Sequence, residues 1–184
     1  EQKRMEVHKT IFSPYMAALS HNIAQLLPGD LDFSFFCNSG AEAVEGAIKL
    51  AYKFHDGDRK IILHSDISYH GKLLGSASIT ASKEVHFKYP SIPNTHSFKF
   101  NDISSVKEKI SSFRKESGES DVYALIIEPF SAGSIRACDT KFLQDLQKVC
   151  NENGIVLIFD EIYVGWYKTG NRFNFLDHDV IPDI

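Results

Sequence analysis

The sequence has no long apolar run. Its longest, such as Ala124–Ile127 and Ile155–Phe159, are strand-sized, far short of the roughly 20 residues that cross a bilayer. No membrane partner is expected. Cysteine is scarce: Cys37, Cys138 and Cys150 are far apart and odd in number. No CxxC pair or His/Cys cluster accompanies them, which argues against a zinc site and a disulfide framework. A reducing, cytoplasmic compartment is the simpler reading. With 11 Gly and 6 Pro, collagen-like and low-complexity chains are excluded. A basic excess is also missing, since 20 Lys+Arg face 24 Asp+Glu, a net charge of −4. Nucleic-acid-binding domains usually carry the opposite balance. The opening Glu1-Gln2-Lys3-Arg4-Met5-Glu6 lacks the apolar core of a signal peptide. The chain starts without Met and stops at Val180-Ile181-Pro182-Asp183-Ile184, so both ends read as cuts within a longer protein.

What is present is ordinary globular material. Hydrophobic residues make up 43% and charged residues 24% of 184 positions. That fraction can build a core and makes intrinsic disorder unlike this chain. The length fits one domain or a piece of one. Neither an internal repeat nor a linker is visible.

Phe12–Leu27 has apolar side chains at helical spacing and is ended by Pro28-Gly29. Asp32–Asn38 alternates and is aromatic, so it reads as a strand. Ser39-Gly40-Ala41-Glu42 follows, and Ser with Glu three positions on is a capping box. Ala43, Ala47, Leu50 and Phe54 then form one stripe of a helix running to about His55. Lys60–His64 reads as a short strand, Ser68–Gly71 as a loop and Lys72–Ile79 as a further helix. Tyr89–Ser97, with two prolines, reads as irregular. Asn101–Lys115 is amphipathic, and Asp121–Ile127 is an apolar strand. Asp139 or Thr140 caps a helix that Asn153-Gly154 ends. Ile155–Phe159 is a second buried strand, closing on Asp160-Glu161. Strands alternating with helices predict an α/β fold, a mostly parallel sheet flanked by helices. Residues 1–30 form a helical lead-in and 31–184 the α/β core.

In open parallel sheets, ligands sit beyond the carboxyl ends of strands. At Asn38-Ser39-Gly40-Ala41 a strand turns directly into a helix, whose free amides attract anions. Gly40 would let a phosphate approach the backbone. A capped helix and nothing more is the other reading. This is neither a P-loop nor a dinucleotide turn, because Gly-Lys-Ser/Thr and GxGxxG are both absent. Asp160 and Glu161 end an apolar strand, where a carboxylate is costly unless paired or exposed. Such an acid could hold a metal, a protonated ring nitrogen or a lysine, or simply face solvent. Adjacent acids on a strand point to opposite faces, so at most one enters a site. Tyr69-His70-Gly71 offers an aromatic ring that could stack on a flat heterocycle or merely pack. Glu128-Pro129 is a fourth strand end. The other histidines show no HExxH or HxH spacing, and no GxSxG elbow is present.

Four stretches together resemble the large domain of the class III pyridoxal-phosphate-dependent aminotransferases, of fold type I. They are Phe36-Cys37-Asn38-Ser39-Gly40-Ala41-Glu42-Ala43, Tyr69-His70-Gly71, Ile127-Glu128-Pro129 and Leu157-Ile158-Phe159-Asp160-Glu161-Ile162. Thr169-Gly170 also fits, and the set keeps the family's order over nearly the whole chain. The pattern is most similar to ornithine, acetylornithine and ω-amino-acid members, with glutamate-semialdehyde aminomutases also close.

The resemblance implies pyridoxal 5'-phosphate as cofactor. It implies that Ser39, Gly40 and Ala41 bind its phosphate and that Tyr69 stacks on its ring. Asp160 then pairs with the ring nitrogen, Ile162 packs on the other face, Glu128 supports from behind, and His70 and Tyr163 complete the set. A carboxylate beside that nitrogen favours its protonated form. The implied partners are an amino donor, a keto-acid acceptor and a second copy in a homodimer. The lysine that forms a Schiff base with the cofactor is expected beyond Ile184, so no catalytic residue is assigned within the chain, and the piece alone is expected to be inactive.

Two positions depart from the family. Tyr163 stands where glutamine usually follows the Asp-Glu-hydrophobic triplet, near the cofactor's phenolic oxygen. Phe130-Ser131-Ala132-Gly133 replaces a stretch like Val-Gln-Gly-Glu, so an acid that often helps select substrate is missing. The leading expectation is an aminotransferase. An aminomutase, a decarboxylase-like member and a non-catalytic pyridoxal-phosphate-binding relative are the alternatives, and an unrelated nucleotide-binding α/β domain ranks below them.

Overall fold

The computed structural model describes residues 13–81 and 90–184. The chain divides into two compact units, Glu1–Phe36 and Cys37–Ile184. In the first, helix α1 spans Pro14–Ala24. Ser13 caps it, its hydroxyl accepting from the Met16 amide at 3.3 Å, with Pro14 suited to the first turn. The expected start at Phe12 lies outside the described residues.

The stretch Asp32–Asn38 is not a strand. Alternation alone does not make one: the backbone needs a neighbour to pair with. No strand among the described residues pairs with this segment, and Phe33 and Phe35 are exposed.

The second unit holds helix α2 (Gly40–Phe54), strand β1 (Ile61–Ser65), helix α3 (Leu74–Ser78) and strand β2 (Thr95–Phe98). Helix α4 (Ile103–Ser112), strand β3 (Val122–Ile127), the short strands β4 (Phe130–Ser131) and β5 (Arg136–Ala137), helix α5 (Thr140–Asn153) and strand β6 (Val156–Phe159) follow. A 3₁₀ helix covers Asn174–Asp177.

The main sheet runs in the order β2-β1-β3-β6, and every neighbour pair is parallel. The expected mostly parallel α/β sheet is therefore found. Strands β1, β3 and β6 are buried at every residue, as strands covered on both faces must be. Val44, Ile48 and Ala51 of α2 pack on one face with Ile62, Ala124, Ile126, Val156 and Ile158. The alternate residues Leu63, Leu125, Ile127 and Leu157 point the other way. Helices α4 and α5 pack on each other and against the outer strands β2 and β6. Gly154 ends α5 in the left-handed conformation, as the Asn-Gly signal implied. Arg59 ties that end down, its Nη1 donating to Val122, Asn153 and Gly154 carbonyls at 3.0, 2.9 and 2.8 Å.

Two further expectations change. Strand β2 begins inside the stretch read as irregular (Tyr89 lies outside the described residues). Pairing with β1, Ile62 to Thr95 through Ser65 to Phe98, outweighs weak local propensity. The helix expected over Lys72–Ile79 shortens to five residues, because Leu73 is extended, at ψ 171°, and the helix can begin only after it. Among the described residues, no helix is long and apolar enough to cross a membrane.

Candidate active site

The parallel order brings the carboxyl ends of β1, β3 and β6 to one edge, facing the start of α2. The expected capping box forms in half, with its return bond shifted one residue back, from Ser39 to Asn38. Ser39 Oγ accepts from the Glu42 amide at 3.3 Å, and Glu42 Oε2 accepts from the Asn38 amide at 2.7 Å. The amides of Gly40 and Ala41, at the first two helical positions, have no intrahelical acceptor. Gly40 has a steric reason too. A Cβ there would lie 2.9 Å from both Cδ1 and Cγ2 of Ile162.

The loop after β1 forms one wall. The Tyr69 amide donates to Glu128 Oε2 at 2.8 Å, and the His70 amide donates to Thr80 Oγ1 at 2.9 Å. Gly71 lies so close to α2 that an added Cβ would be 2.7 Å from Ala41 Cβ. Glu128 is buried just past β3, and burial pushes its carboxyl above the usual range. The Tyr69 and Ala132 amides pull the other way.

Asp160 leaves β6 into the site. Its Oδ2 accepts from His70 Nδ1 at 2.7 Å, and its Oδ1 accepts from the Ile162 amide at 3.1 Å. The two side chains are 5% and 0% exposed. An ionised Asp160 fixes the proton on Nδ1. His70 Nε2 is then buried with no hydrogen-bond partner. Glu161 turns away, as alternation requires. Its carboxylate accepts from the Asn174 and Phe175 amides at 2.8 and 2.7 Å and pins the 3₁₀ helix. Burial pushes its carboxyl up as well.

Gly40, Ala41, Tyr69, His70, Glu128, Asp160, Ile162 and Tyr163 line one cavity of about 600 Å³. Ser39 is not in the lining; its exposed hydroxyl is spent on capping α2. Gly71, Lys72, Ala132 and Gly133 also line the cavity. Of these, Lys72 carries no sequence signal beyond its place after Gly71. Tyr163 stands at the rim, 67% exposed, with Lys168 Nζ 5.5 Å above its ring.

One cavity thus gathers the buried Asp160 side chain, the residues that open α2 and the apolar side chains of Ala41 and Ile162. Such a lining can take an anion at the helix start and a positive group beside the carboxylate.

Residues 2–184 match the family described as Aminotransferase class-III. The chain is 38% identical over 191 positions to an acetylornithine aminotransferase from Nostoc sp., covering 100% of this chain and 43% of that protein. It is 34% identical over 185 positions to a putrescine aminotransferase from Pectobacterium atrosepticum, covering 98% of this chain and 39% of that one. In structure it resembles a thermostable (S)-enantioselective omega-transaminase from Thermomicrobium roseum, with a TM-score of 0.87 and 26% identity. That match covers 96% of this chain and 44% of the other. The chain thus spans about two-fifths of the length of the curated relatives it matches. The ordered motifs, the parallel sheet and these likenesses agree: the chain belongs to the class III aminotransferase family.

Proposed function

We propose that the protein carrying this chain moves an amino group between an amino acid or amine and a keto acid, with pyridoxal 5'-phosphate held in the cavity. The carrying observation is that one cavity is lined both by the buried Asp160–His70 pair and by the residues that open α2, whose first amides have no intrahelical acceptor.

The donor set fits the cofactor. The amides of Gly40 and Ala41 suit its phosphate, because a helix N-terminus favours an anion. Ser39 contributes by fixing that helix start. Asp160 suits the ring nitrogen, since a nearby carboxylate favours the protonated form. Tyr69 and Ile162 supply the two faces, and Gly40 leaves Ile162 its room. When bound, the pyridoxal ring supplies an electron sink for the charge left as substrate gives up its α-proton. His70 holds Asp160 in orientation by donating to Oδ2. Glu128 holds the Tyr69 backbone. Tyr163 shields the rim from water.

The lysine that joins the cofactor is assigned to the protein beyond residues 1–184. The exposed apolar side chains Ile162 and Tyr163 in the cavity lining, with exposed Trp166 three residues on, support association into a homodimer. Three free cysteines support a reducing, cytoplasmic setting. The test uses the full polypeptide, incubated with pyridoxal phosphate, reduced with borohydride and mapped by peptide mass spectrometry. One modified lysine outside residues 1–184 is expected. Modification at Lys72 would overturn that assignment, retained cofactor without modification would point to a non-catalytic relative, and no retained cofactor would overturn the reading itself.

A further inference from the structure

Helix α3 has only half a cap of its own: Ser76 Oγ accepts from the Leu73 amide at 3.0 Å. Leu73, at its N-cap, has no side chain able to accept from the first turn. The acceptor comes from another helix. Glu45 of α2 reaches across, and its Oε1 accepts from the Ser76 amide at 2.8 Å. The other oxygen lies against Gly75, where an added Cβ would be 2.6 Å from Oε2. Gly75 and Ser76 are both buried, so the Ser76 amide depends on this carboxylate for its acceptor.

Upstream of α3 lies the wall of the cavity, Tyr69 to Lys72. The segment from Tyr69 to Ser76 is held at its first amide by Glu128 and at its last by Glu45. Between those anchors, His70 leans on Thr80 and Gly71 on Ala41. The loop is slung between two carboxylates on different elements. Gly71, at φ +123°, adds little stiffness of its own.

We propose that Glu45 is a positioning residue for the cavity, fixing the Tyr69–Lys72 wall against the start of α2 through the first turn of α3. The inference rests on the cofactor reading above. Without Glu45 a buried amide loses its acceptor, the first turn of α3 frays, and the anchor downstream of His70 slackens.

The test compares four forms of the full polypeptide: wild type, Glu45→Ala, Glu45→Gln and Leu146→Ala. The last is a fully buried residue of α5, the helix that packs on α4 and β6. Pyridoxal phosphate is titrated into each apoprotein, and urea unfolding is followed in parallel. Glu45→Ala is expected to weaken cofactor binding by about tenfold or more, the range of a lost charge-assisted hydrogen bond. Glu45→Gln keeps an acceptor oxygen and should stay within about threefold of wild type. Leu146→Ala should lower the unfolding midpoint and leave the cofactor constant alone. Wild-type affinity in Glu45→Ala, or equal losses in Glu45→Ala and Leu146→Ala, would overturn the proposal.

If Glu45→Ala does not fold, Gly75→Ala presses on the same contact from α3, and unchanged affinity there would overturn it. If wild type takes up no cofactor, the cofactor reading has failed. Amide exchange then decides the role of Glu45: faster exchange confined to residues 69–80 in Glu45→Ala supports positioning, and unchanged exchange refutes it.

Discussion

His70 Nδ1 and Asp160 Oδ2 stand 2.7 Å apart, joining residues 90 positions distant in sequence, and both side chains are almost wholly buried. A charge-assisted bond of this kind fixes both the tautomer of the ring and the direction of the carboxylate. It also gives Asp160 the pairing that a buried anion needs.

The two residues should therefore act as a unit. In the full polypeptide, Asp160→Asn is expected to lower kcat/KM by about 10²- to 10³-fold, the usual effect of removing one preorganised electrostatic partner. His70→Phe should cost less, and the double variant should be no slower than Asp160→Asn alone. Multiplicative losses would show that His70 does not work through Asp160.

Glu128 makes a pH prediction. Burial holds its pKa above the ordinary 4.5, so the folded chain binds the proton more tightly than the unfolded chain. Its contribution to stability is then greatest below pH 4.5 and declines as pH rises through 4.5 to the raised value. Glu128→Gln keeps an acceptor for the Tyr69 amide and removes the charge. Thermal melts across pH should show the variant gaining on wild type as pH rises over that interval. A difference independent of pH would exclude burial as the controlling influence. Glu161, raised for the same reason, should leave a residual slope in the variant.

Gly71 combines a φ of +123° with so little room that an added Cβ would lie 2.7 Å from Ala41 Cβ. Gly71→Ala should destabilise the fold by about 1–3 kcal/mol in urea unfolding, from backbone strain and the forced separation of loop and helix. An unaltered midpoint would mean that the loop is not pressed against α2.

Ile135 is the converse case. It turns the β4–β5 hairpin at φ +54° and is 80% exposed, so a β-branched residue sits in a conformation that suits glycine. Ile135→Gly removes little packing and should raise stability by up to about 1 kcal/mol. A loss of that size would show that the side chain makes contacts in solution that outweigh the strain.

Much of the site was legible because its signals are local. Ser39 with Glu42 forms a cap over three residues, so the sequence shows it directly. Asp160 and Glu161 separate by simple alternation, one into the cavity and one onto the 3₁₀ helix. Local signals also misled. Asp32–Asn38 has the pattern of a strand and none of the pairing, while Thr95–Phe98 has little pattern and pairs along its length with β1. Lys72 and Glu45 had no pattern to reveal them; one matters by lying beside Gly71, the other by reaching 31 residues along the chain.

The sequence by itself determined the long helices α2 and α5, the apolar strands β3 and β6, the capped turn at Ser39 and the acids at strand ends. Each depends on spacings within one turn or one strand, where covalent geometry fixes what neighbours can do. Only the tertiary structure decided that His70 meets Asp160, that Glu45 caps α3, and that Glu128 holds the Tyr69 loop. Those contacts depend on the sheet order β2-β1-β3-β6, because parallel pairing carries strand ends from distant parts of the chain to one edge.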